Sequence, residues 1–107
     1  MSSTTTKSQT LACTLTEGDL RNRRAWIAEL TRDGLRGYDR VDLVLRLRYA
    51  PEAAPRVREM MHKERACCEF LAFEMHQEPG EVWLTITAPE EARMMADALF
   101  EPFLPPR

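Results

Sequence analysis

The stretch YDRVDLVLRLRYA at residues 38–50 constrains the fold more than any other part of the chain. Val41, Leu43, Leu45, Leu47 and Tyr49 recur at every second position, with Arg46 and Arg48 between them. Successive side chains of an extended chain point to opposite faces, so this spacing predicts a strand with one apolar face and one charged face. Such a strand belongs to a sheet that is covered on one side and wet on the other.

The same period of two returns in LAFEMHQEPGEVWLTITAP at residues 71–89. Pro79-Gly80 divides it into two strands, with Leu71, Phe73 and Met75 on one face and Val82, Leu84 and Ile86 facing the same way. A loop of residues 77–80 sets Met75 opposite Val82, Phe73 opposite Leu84 and Leu71 opposite Ile86. A fourth strand is expected in TLACTLT, where Leu11, Cys13 and Leu15 alternate with small partners.

Helical spacing fills the intervals. Thr16 is placed to cap a first helix, with Asp19 at capping-box distance, Leu20, Ile27 and Leu30 as its apolar positions and Gly34 as its stop. Pro51 suits the first turn of a second helix running to about Cys68, with Val57, Met60 and Met61 on the buried stripe. Pro89 opens a third, whose Met95, Leu99 and Phe100 face the core before Pro102 ends it. The expected order is β-α-β-α-β-β-α. That makes an α+β two-layer sandwich, a four-stranded mixed or antiparallel sheet with helices on one face. Its wet face would carry Arg46, Arg48, Ala72, Glu74, His76, Trp83, Thr85 and Thr87.

With 107 residues the chain suits one domain, expected over residues 11–104 after a polar leader at 1–10. Fifteen Lys and Arg against seventeen Asp and Glu give a formal charge of -2, without the basic excess of a nucleic-acid-binding surface. No run of residues reaches the ~18 apolar positions of a membrane span, and the leader lacks an apolar signal core. A cytoplasmic protein is expected. Its three cysteines cannot all pair within one chain, which argues against a disulfide framework.

Chemistry concentrates in HKERACCEF at residues 62–70. Glu64 lies seven residues past Val57, where the helical stripe calls for an apolar side chain, so its carboxylate needs a partner. That partner is a backbone N–H, an arginine such as Arg21 or Arg24, a metal ion, or a substrate in acid/base chemistry. Cys67 and Cys68 are too close for an ordinary disulfide within a helix, since consecutive Cα atoms stand about 3.8 Å apart. A helix C-terminus also discourages the thiolate unless a cation is present. Should Cys13 lie beneath the end of the second helix, Cys13, Glu64, Cys67 and Cys68 would gather as ligands for zinc, copper(I) or mercury(II). The alternatives are three cysteines packed as small hydrophobes, or a vicinal redox switch.

Other residues of note have plainer explanations. His62 falls beside the helix stripe, and His76 stands opposite Glu81 in the expected hairpin. Neither has a nucleophile at catalytic spacing, and no glycine-rich phosphate loop is present, so the sequence offers no catalytic set. The paired methionines Met60-Met61 and Met94-Met95 fall at helix stripes and are expected in the core. Trp83 is expected on the wet sheet face, the surface of a homodimer if this is an interaction module.

Glu64, Cys67, Cys68 and Phe70, with a second aromatic at Phe73, resemble a widespread group of small, uncharacterised bacterial proteins marked by E-x-x-C-C-x-F. The likeness extends to Cys13, Thr16 and Arg23 upstream and to the L-x-I-T-x-P-E segment at Leu84 to Glu90, covering most of residues 11–100. Some members of that group are associated with heavy-metal-responsive regulators. What the resemblance implies is soft-metal handling by a small accessory protein, with no ligand beyond the motif itself.

Overall fold

A computed structural model describes residues 17–67 and 70–105, apart from the side chains of residues 17–20 and 67. Helix α1 (Glu17–Gly34) leads into strands β1 (Leu35–Val41) and β2 (Val44–Tyr49). A 3-10 turn (Pro51–Ala53) then opens helix α2 (Ala54–Cys67). Strands β3 (Ala72–Glu78) and β4 (Glu81–Thr87) follow, and the 3-10 turn Glu90–Met95, helix α3 (Ala96–Phe100) and the turn Glu101–Phe103 close the chain. The four strands form one antiparallel sheet in the order β1-β2-β4-β3. The α+β class is as expected. The strand expected at residues 11–15 lies outside the described residues, so the described order begins with α1.

Alternation in β2 does what its spacing requires. Leu45, Leu47 and Tyr49 are buried against Ile86, Leu84 and Val82 across the β2/β4 ladder, and Phe73 of β3 pairs with Ile86 on the other side. Ile27 and Leu30 of α1, Val57 and Met60 of α2 and Phe100 of α3 belong to the same core. Burying each such side chain contributes about 1.5–3 kcal/mol.

Three expectations need correction. The alternating run at 38–50 is two strands: the chain reverses at Asp42-Leu43, leaving Val41 68% exposed and Leu43 in the turn. Alternation in sequence continues through a two-residue turn, so periodicity alone could not detect the reversal. Asp42 takes a φ of 56°, a left-handed conformation that aspartate tolerates better than most residues. Strand β1, LRGYDRV, has little apolar alternation because its half-buried positions are filled by Leu35, Gly37 and Asp39.

The second hairpin is tighter than expected. Glu78 pairs with Glu81 across Pro79-Gly80, setting Met75 opposite Leu84, Phe73 opposite Ile86 and His76 opposite Trp83. The register differs by two residues, which leaves every side chain on its expected face. Gly80, with φ at 88°, supplies the left-handed residue that follows Pro79 in this two-residue turn.

The third correction is the C-terminal helix, which is short and framed by 3-10 turns, burying Ala92, Ala96, Phe100 and Phe103. Met94 is 98% exposed and Met95 is exposed too, so this pair is not core. Small alanines let the segment lie close to the core, and the bulk comes from the two phenylalanines.

Candidate functional site

Helices α1 and α2 run antiparallel. Arg23 meets Glu64, the Lys63 ammonium lies 4.9 Å from the centre of the Trp26 ring, and Arg56 reaches Asp33 at 3.6 Å. A Cβ on Gly34 would stand 2.9 Å from Cβ of Ala53, so the far ends of the pair approach at a distance only glycine permits.

At the other end stands Glu64, on the stripe with Val57 and Met60 and only 1% exposed. Both of its oxygens accept from Arg23, Nε donating to Oε2 and Nη2 to Oε1. A two-pronged charge-assisted pair of this kind is the arrangement that compensates a buried carboxylate best. Arg21 and Arg24, the arginines given as examples of such a partner, are both exposed. Arg23 precedes Trp26, Ile27 and Leu30 by three, four and seven residues, and that spacing was the signal for choosing it.

Glu64 thus has an arginine partner, and as a metal ligand it would have to share an oxygen with Arg23. Cys13 and Cys68 lie outside the described residues, and of Cys67 only the backbone, the last residue of α2, is described. Cys67 comes three residues after Glu64, about 4.5 Å along the helix axis, while Glu17 comes six residues before Arg23, about 9 Å. The first turn of α1 therefore lies at the end of the pair where α2 stops. In the sequence Cys13 stands four positions before Glu17.

Electrostatics at this end differ from those of an isolated helix C-terminus. The first turn of α1 brings partial positive charge beside the partial negative charge of the α2 terminus, while the Arg23 charge, one turn away, is offset by Glu64. Arg65 ties the last turns of α2 to β3, its Nη2 donating to the carbonyl of Phe73 at 2.8 Å. Leu71 is buried, and Phe73 packs edge-on against Phe103 at 6.3 Å between ring centres. The aromatics of the E-x-x-C-C-x-F segment thus serve as anchors, Phe70 packing partly buried against the core.

Among the described residues no group of three or more His, Cys, Asp or Glu side chains is arranged to hold a metal ion. His62 is exposed, and His76 is exposed with Nε2 3.0 Å from Glu78 rather than paired with Glu81. Trp83 is half-buried, its indole N–H donating to Glu81 at 2.9 Å and its ring under the Arg46 guanidinium at 5.6 Å. No helix among the described residues is long and apolar enough to cross a membrane. Comparison with protein-family models, curated proteins and solved structures gives no match to this chain.

Proposed function

We propose that this chain is a small cytoplasmic accessory protein that takes up a soft metal ion, or another thiophilic species, through Cys13, Cys67 and Cys68. It is read as a member of the E-x-x-C-C-x-F group, a two-layer sandwich whose helices cover one sheet face. The observation that carries this reading is the antiparallel pairing of α1 with α2, which brings the start of one helix and the end of the other to the same edge of the molecule. Three thiolates suit zinc, copper(I) or mercury(II), which prefer sulfur, and a bound ion would deprotonate them. Glu64, held by Arg23, is a positioning residue that fixes the last turns of α2.

The test is titration of the reduced protein with zinc, copper(I) and mercury(II), each against Cys67→Ser/Cys68→Ser and against Cys13→Ser. Tight binding of one equivalent by the parent, weakened at least about tenfold in both variants, is the expected outcome. Equal binding by parent and double variant contradicts the reading, because the metal would then be held elsewhere.

A further inference from the structure

We propose that the sheet face bearing Trp83 is a self-complementary docking surface that joins two copies of this chain. Strand pairing sets its layout. Arg48 of β2, Trp83 of β4 and His76 of β3 stand level, and beside them Arg46, Thr85 and Glu74 form a second row. The face is basic along β2, where Arg46 also meets Asp39 of the edge strand β1 at 3.4 Å, and acidic along β3, with an aromatic between. Trp83 is already ordered by its bond to Glu81 and by the guanidinium of Arg46. An ordered tryptophan flanked by arginine is the kind of group that carries binding energy at the centre of an interface. Glu74 is exposed and makes no ion pair among the described residues.

Charge selects the symmetry. A two-fold axis across the strands would lay each strand over its own copy and press Arg46 and Arg48 against the same arginines. An axis along β4 instead lays β2 of one copy over β3 of the other, so that Arg46 meets Glu74 twice and Trp83 packs on its counterpart. The sheets would then stack about 10 Å apart, as aligned sheets do. Glu81 comes near its own copy in this arrangement, with its charge met by Arg48 at 3.8 Å and by the Trp83 N–H. Three strands overlap, which places the buried area in the small class, about 1,200 Å2 in total or less, and makes the dimer a weak one.

Sedimentation equilibrium of the parent up to about 1 mM, a concentration matched to weak association, should detect reversible dimers. Trp83→Ala, Arg46→Glu and Glu74→Arg, each checked for folding by circular dichroism, should weaken the dimer at least about tenfold. Combining Arg46→Glu with Glu74→Arg should restore most of the loss, since the exchanged charges meet again across the axis. A parent that stays monomeric throughout overturns the proposal. So does a dimer indifferent to both charge reversals, or a double reversal no better than the singles.

Discussion

Glu64 carries the most consequential single contact. Removing its partner by Arg23→Ala leaves a carboxylate sealed in the core, and a loss of about 3–5 kcal/mol is expected in urea denaturation. Glu64→Gln should cost less, because the Arg23 side chain is 13% exposed and engaged beyond this pair as well. Replacing both by apolar residues, Arg23→Met with Glu64→Leu, should recover most of the stability lost in Arg23→Ala. A double variant no more stable than Arg23→Ala would show that the pair is not the unit acting here. Tyr49 raises the same issue without an ion: its hydroxyl and that of Thr31 are buried with no hydrogen-bond partner among the described residues, and burial pushes the Tyr49 phenol well above its ordinary pKa. Tyr49→Phe should therefore leave stability unchanged or slightly raised in the same measurement.

At the scale of elements, the two hairpin turns are held by different means. Gly80 has the positive φ that side chains resist, so Gly80→Ala should cost about 1 kcal/mol, read as a lowered denaturation midpoint. The β1/β2 turn is tied down by charge instead: Arg93 donates to both Asp42 and Glu90, and these bonds hold both carboxyls below their ordinary pKa. A carboxyl that ionises more readily in the folded chain stabilises it above the ordinary carboxylate range, about pH 4, and loses that effect as the pH falls further. Thermal melts of Arg93→Ala should thus lie below the parent at neutral pH, with the gap closing in strong acid. A gap independent of pH would contradict this.

The two hairpins also mark how far the sequence could be read. The faces of β2, β3 and β4 were legible because period two survives a register error of two residues. The reversal at Asp42 was hidden because the same alternation runs through it. Helix α2 and its buried acid were legible from the Val57, Met60, Glu64 spacing, whereas Arg23 was missed between two exposed arginines of like composition. Met94 and Met95 misled because an apolar side chain on a helical spacing was expected to face inward, while alanines occupy the positions that do.

For the whole molecule, the decisive relation is between chain ends of two helices that sequence places about fifty residues apart. Their antiparallel packing, set by Arg23 with Glu64 at one end and by Gly34 against Ala53 at the other, brings the start of α1 and the end of α2 to one edge of the fold. The sheet face is an independent surface, and loss of dimers in Trp83→Ala should leave metal uptake unchanged. The most direct test of the central claim is zinc-edge X-ray absorption on reduced protein loaded with one equivalent of zinc. Uptake through Cys13, Cys67 and Cys68 requires a first shell of three sulfurs at about 2.3 Å. A shell of nitrogen and oxygen alone, near 2.0–2.1 Å, would contradict it.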